Sequence, residues 1–216
     1  FEAEDVTTQG NPAVDVVDGV GTLSGNMLTT NNPSFNTTDG TKIDSNLSAT
    51  DRADTIILEE DGHSDGSVVN GEGGNDIFDL SSNTGDVTID VSDLTELVNV
   101  EQLLLNDGEV NTFSGSQLND EEIDVSDSGG STTLDIDVAS DATVNFSKLT
   151  FNGDAGTALD TTSGSVIDID GDSGQEDITG SSQGDTIDGA GGIDTIDGGA
   201  GDDTNTGGAG AHNQTG

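Results

Sequence analysis

The residues best suited to chemistry in this sequence are acids set at a fixed interval among glycines. Asp185, Asp194 and Asp203 stand nine residues apart, with Glu176 nine before them and His212 nine after. Gly189, Gly191 and Gly192 precede Asp194, and Gly198, Gly199 and Gly201 precede Asp203. An earlier copy, GEGGNDIFD, sets Gly71 and Gly73 before Asp76. Carboxylates and backbone carbonyls gathered in tight turns are the oxygen ligands that a hard cation takes. Glycine suits such turns because it tolerates positive φ and lets a carbonyl approach an ion closely. The chemistry these residues offer is coordination.

Something regular must position them. Glycines fall at 171, 180, 189, 198, 207 and 216 without slip. The eighth place of each unit is Ile178, Ile187 and Ile196, then Asn205 and Gln214. A glycine turn followed by one inward-facing isoleucine reads as a turn plus a short strand, the unit of a repeat that stacks on itself. With two units per coil, Asp185 and Asp203 share one edge, and Glu176, Asp194 and His212 share the other.

Upstream, short alternating segments predict strands at DTIIL (54–58), DIFDL (76–80), DVTIDV (86–91), VEQLLL (100–105), EIDVS (122–126), TLDIDV (133–138), TVNFSKLTF (143–151) and VIDID (166–170). Gly, Asn, Asp and Ser separate them. Helical spacing occurs over 94–105 alone, among β-branched residues. The sequence predicts an all-β chain in three parts. Residues 1–50 form an irregular or extended N-terminal region, 51–170 a degenerate β-solenoid with a β-sandwich as the alternative, and 171–216 a regular nonapeptide tract.

These nonapeptides, GAGGIDTID and GGAGDDTNT above all, resemble the repeats-in-toxin (RTX) motif GGxGxDxUx, where U is a large aliphatic residue. The resemblance covers 171–210 and 71–79. It implies a parallel β-roll or β-helix solenoid in which each unit is one calcium-binding turn and one strand, with Ca2+ between successive turns. By that resemblance the metal residues are Asp76, Glu176, Asp185, Asp194 and Asp203 with the glycines named above.

Composition agrees with a cation-seeking chain. Among 216 residues there are 44 acids, 33 of them Asp, against 3 Lys and Arg, for a formal charge of -41. Such a surface repels nucleic-acid phosphate and anionic lipid, and no apolar run is long enough for a membrane helix. High charge with 3% aromatics also fits disorder, but the fixed apolar positions argue for folding. The absence of Cys excludes disulfides and thiolate metal sites. Phe1 and the missing leader pattern read as a processed or trimmed chain.

Catalytic motifs are weaker. GHSDG (62–66) matches a nucleophile elbow without the strand–turn–helix context that motif needs. GDSGQ (171–175) has a serine-protease look, but the nine-residue register already accounts for its glycines. DIDGDSGQEDIT (168–179) starts as an EF-hand loop, yet has Ser173 at the turn glycine and Thr179 at the bidentate acid. Asp168, Asp170 and Asp172 remain candidates for a looser calcium cluster, and His212 reads as the capping end of the tract. The expectation is a non-enzymatic, secreted protein of the bacterial cell surface, with calcium, further copies of itself and cell-surface polysaccharide as partners. It would assemble into a surface layer, a filament or an adhesive array. The alternatives are a calcium-dependent accessory or secretion module of a larger secreted enzyme or toxin, and a halophile's surface protein.

Overall fold

The computed structural model describes residues 13–15, 34–37, 47–49, 53–58, 68–81, 88–92, 94–161 and 164–216. Over these the chain winds into a stacked, all-β solenoid whose strands pair in parallel. One sheet stacks Ala13–Asp15, Ser34–Thr37, Thr55–Leu58, Ile77–Asp79, Gln102–Leu105, Asp124–Asp127 and Thr157–Ala158. A second stacks Thr88–Asp90, Val110–Ser114, Thr133–Asp137, Val166–Asp170, Asp185–Asp188 and Thr204–Thr206. A third holds Leu47–Ser48, Val68–Asn70 and Glu96–Val98, and a fourth holds Thr143–Asn145, Asp177–Thr179, Thr195–Asp197 and Asn213–Thr215.

The coils come in two main sizes, separated by one longer step of 33 residues from Thr133 to Val166. Thr55 pairs with Ile77, Ile77 with Gln102, and Gln102 with Asp124, in steps of 22, 25 and 22 residues. From Ile167 onward the step is 18: Ile167 pairs with Asp185, and Ile178 with Ile196. The change follows the end of the first sheet, where Thr157–Ala158 runs antiparallel to Ser126–Asp127. Beyond it the chain alternates between the second and fourth sheets, one nonapeptide to each.

Inward residues explain the register, because a slip by one would turn each apolar side chain to solvent. Ile56, Phe78, Leu103 and Val125 lie in line and are fully buried. So do Phe113, Ile136, Ile169 and Ile187 on the second sheet, and Val144, Ile178 and Ile196 on the fourth. Each contributes about 1.5–3 kcal/mol of burial. Both columns end in polar residues, at Asn205 and Gln214.

Within residues 1–50, read as irregular or extended, short strands at 13–15, 34–37 and 47–48 pair into the solenoid's sheets. The rest of residues 1–50, and GHSDG, lie outside the described residues. Helical spacing at 94–105 is misleading: Glu96–Val98 and Gln102–Leu105 are strands in different sheets, with Asn99 turning between them at φ 51°. Among the described residues the one α-helix is Gly115–Leu118, where Gln117 Nε2 donates to the carbonyls of Val91 (2.8 Å) and Leu94 (2.9 Å). No described helix is long and apolar enough to cross a membrane. The alternative sandwich for 51–170 requires antiparallel pairing, which among the described residues of this stretch is confined to Thr157–Ala158 against Ser126–Asp127.

Candidate metal centre

The nine-residue acids stack along the two edges the spacing implied. Asp185 N–H donates to Asp203 Oδ1 at 3.0 Å, and Glu176 N–H donates to Asp194 Oδ1 at 3.1 Å. Each carboxylate thus accepts the N–H of its counterpart one coil earlier, at the point where the chain enters a strand. These are N–H groups that would otherwise be buried without a partner. Glu176, Asp185 and Asp194 are almost wholly buried.

The same arrangement occurs in the wide coils, where sequence reasoning found Asp76 and missed its partners. Asp54 N–H donates to Asp76 Oδ1 at 2.7 Å, and Asp76 N–H donates to Glu101 Oε2 at 2.8 Å. Neither Asp54 nor Glu101 has a glycine repeat before it. A simpler signal marks them all: Asp54, Asp76, Glu101, Asp194 and Asp203 each stand immediately before a strand. A further acid, Asp141, accepts from Gln175 N–H at 3.2 Å, and its own N–H donates to Glu176 Oε1 at 3.2 Å.

One oxygen of several of these acids has no hydrogen-bond partner. Oδ2 of Asp76 and Asp203 and Oε2 of Glu176 are buried and make no hydrogen bond, whereas the buried Asp194 Oδ2 lies 3.0 Å from His212 Nδ1. Each faces the first glycine of its own unit. A Cβ on Gly71 would lie 2.6 Å from Asp76 Oδ2, one on Gly189 2.7 Å from Asp194 Oδ2, and one on Gly198 2.5 Å from Asp203 Oδ2. Carbonyls of the next coil face the same spaces: Asn99 O at Gly71, and Asp188 O (3.2 Å) at Gly171. A side chain at the first glycine would fill the space these oxygens share. Such orphaned oxygens beside a carbonyl-lined cradle fit a hard cation, which satisfies several oxygens at once.

Asp185 differs. Ser181, in the second-glycine slot, donates its N–H to Asp185 Oδ2 (2.7 Å) and its hydroxyl to Oδ1 (2.9 Å). Burial nevertheless pushes Asp185 up to about 7, with the charge of Asp203 adding to the effect. Asp76 is likewise pushed up to about 7, by burial and then by Glu101 and Asp54. Burial raises Glu176 too, aided by Asp194 and Asp172. His212 sits in the last rung, its Nδ1 3.3 Å from Asp194 N and 3.0 Å from Asp194 Oδ2.

The glycines shape the turns in two ways. The second slot is left-handed in Gly199 (φ 91°), but also in Glu72 (φ 70°) and Ala190 (φ 54°), and the fourth has φ 137° in Gly201. Gly192 lies against the Gly174 carbonyl of the neighbouring coil. Gly191 pairs with Ala209, and Gly73 is half-buried in its turn. A ninth-position acid completes the turn: Asp188 Oδ1 accepts from Ala190 N–H (2.8 Å) and Asp197 Oδ1 from Gly199 N–H (3.3 Å).

Asp168 and Asp170 do not join Asp172 in a loop. They stand on the outer face of Val166–Asp170, in register with Asp135 and Asp137, and Asp170 with Asp188. Burial and mutual repulsion raise Asp137, Asp168 and Asp170. Among the described residues no three His, Asp or Glu side chains form a group able to hold a metal ion unaided. Any ion here must draw on backbone carbonyls and water as well.

Comparison with protein-family models, curated proteins and solved structures returns no match for this chain.

Proposed function

We propose that this chain is a calcium-binding, non-catalytic extracellular solenoid that assembles with copies of itself into a surface layer, filament or adhesive array. The observation that carries the reading is a set of buried carboxylate oxygens, each beside the first glycine of its turn, with a carbonyl of the next coil facing Gly71 and Gly171. Asp194, Asp203, Glu176 and Asp76 would supply carboxylate oxygen, and the glycine turns carbonyl oxygen. Asp185 holds its turn through Ser181 and contributes chiefly charge. Calcium bound between coils supplies positive charge where rungs about 4.8 Å apart stack like charges. Each such repulsion costs on the order of 1 kcal/mol even in water.

Secretion suits this chemistry, because sites with dissociation constants around 10⁻⁴–10⁻³ M fill outside cells. The in-register acids on the outer face, Asp135, Asp137, Asp168, Asp170 and Asp188, support cation-bridged contacts between copies. Calcium stoichiometry by titration calorimetry, followed by electron microscopy with and without calcium, tests both halves of the proposal. Saturable binding with ordered assemblies is expected. No binding removes the metal reading, and monodisperse monomer at high calcium removes the assembly reading.

A further inference from the structure

The corner between the first and second sheets brings three coils together at Asp107, at Asp127–Thr132 and at Ser165. Backbone pairing fixes it from both sides: Thr133 N–H donates to Glu109 O (3.0 Å), and Val166 N–H donates to Thr132 O (2.9 Å). Asn111 ties the lower levels, its Oδ1 accepting Asn106 N–H (3.0 Å) and its Nδ2 donating to Thr133 O (3.3 Å). Asp127 is almost wholly buried, and its Oδ1 accepts Gly129 N–H at 2.9 Å. The Asp107 carboxylate comes up against Gly130 from the coil beneath, so closely that a Cβ there would overlap it. From the coil above, Ser165 Oγ accepts Thr132 N–H (3.3 Å) and donates to Gly130 O (3.4 Å). Thr132 is the residue that points to a ligand. It is 1% exposed, and its Oγ1 lies beside the Asp127 carboxylate without making a hydrogen bond.

We propose that the carboxylates of Asp107 and Asp127 and the hydroxyl of Thr132 form a corner site for a hard divalent cation, with water completing its oxygen shell. None of these residues belongs to a nonapeptide, and the proposal rests on the calcium reading above only in taking calcium as the probe. A buried hydroxyl left without a partner costs about 1–3 kcal/mol, and a cation takes up its oxygen directly. The two acids repel: burial raises Asp127, and the charge of Asp107 adds to the effect. Among the described residues neither is paired with Lys or Arg. A bound cation turns that repulsion into shared attraction. The site also lies at the long step from Thr133 to Val166. A cation there would clamp the start of Val166–Asp170, the strand on which Asp185–Asp188 and the narrow coils stack.

The test is amide NMR of the full chain titrated with calcium chloride alone. Signals of Gly129, Gly130 and Thr132 are expected to move along a saturable curve in the unmodified protein. Asp107→Asn, at an exposed residue, and Thr132→Val, which keeps the side chain's shape, should each weaken or abolish those shifts. Signals of Gly189 and Asp194 should titrate in both variants as they do in the parent. Unmoved amides at 129–132 in the unmodified protein, at calcium well above about 10⁻³ M, overturn the corner site whatever the nonapeptide signals do. Shifts at 129–132 that persist with parental affinity in either variant overturn it as well. Movement at 129–132 with stationary signals at 189–194 upholds the corner site and refutes the nonapeptide reading instead.

Discussion

The backbone N–H of Asp185 donates to the carboxylate of Asp203, which lies 18 residues later and one coil up. Asp54 and Asp76 are related in the same way across 22 residues. Wide and narrow coils therefore share one edge device, in which the acid before a strand closes off the backbone of the coil beneath it.

Calcium removal should divide the molecule along its length. The narrow coils place at most one isoleucine per nonapeptide in the core, about 1.5–3 kcal/mol each, and the last two nonapeptides have Asn205 and Gln214 there instead. Ordering nine residues costs roughly 1–2 kcal/mol apiece in backbone entropy. Far-UV circular dichroism in EDTA is expected to show less β-structure than in millimolar calcium. Hydrogen exchange should place the loss in 171–216 and leave Phe78, Leu103 and Phe113 protected. Equal spectra in the two conditions would refute this.

Protons should compete with calcium. Asp185 and Asp76 have folded-state pKa values near 7, above the ordinary 3.8. Between those values the folded state holds protons that the unfolded state has released. Calcium-free protein therefore gains stability as pH falls from 7 toward about 4, and loses it as pH rises through 7. Calcium binding runs the other way, weaker at pH 5 than at pH 8. Thermal melts in EDTA across this range check the first sign, and calorimetric titrations the second. Asp185→Asn should flatten the melting curve against pH.

Two alanine substitutions nine-residue logic treats alike should behave differently. Gly198→Ala places a methyl 2.5 Å from Asp203 Oδ2 and 2.8 Å from its Cβ. It should cost about 1–3 kcal/mol and weaken calcium binding. Gly191→Ala meets nothing nearer than Ala209 O at 4.0 Å, and the equivalent places already hold Ala200 and Ala209. It should be neutral or stabilise by up to about 1 kcal/mol. Melting temperatures with and without calcium separate the two.

Asn205→Ile should strengthen the last coil. Asn205 continues the column of Ile169 and Ile187, and its Oδ1 is buried without a partner. The substitution gives up one hydrogen bond, Asn205 Nδ2 to Thr215 O at 3.0 Å. It adds apolar burial worth about 1.5–3 kcal/mol when complete. The melting temperature should rise, and the calcium needed to order residues 204–215 should fall.

The solenoid was legible where one signal repeated at one interval. The glycines at 171 to 216, the isoleucines at 178, 187 and 196, and the alternation of VIDID all specified strand, face and period. Coil width was less legible, because a step of 22 or 25 residues leaves no fixed glycine register to count. Strands such as Val68–Asn70 and Val110–Ser114 were missed for a related reason: their few residues sit among polar ones, and stacking on neighbours supplies what alternation does not. Asp54 and Glu101 escaped notice because only the three-dimensional stack makes them equivalents of Asp76. Asp185 looked like its neighbours until Ser181 was seen to occupy both of its oxygens.

The narrowing after Thr157–Ala158 gives the molecule an order of events. Wide coils carry phenylalanines and leucines in their cores, so they can form first and present the finished edge of Val166–Asp170. Asp185–Asp188 can then lay itself along that edge, followed by Thr204–Thr206, each addition copying the register of the one before. Assembly would run toward the C-terminal end like the courses of a wall, and unravelling would start from the last course laid.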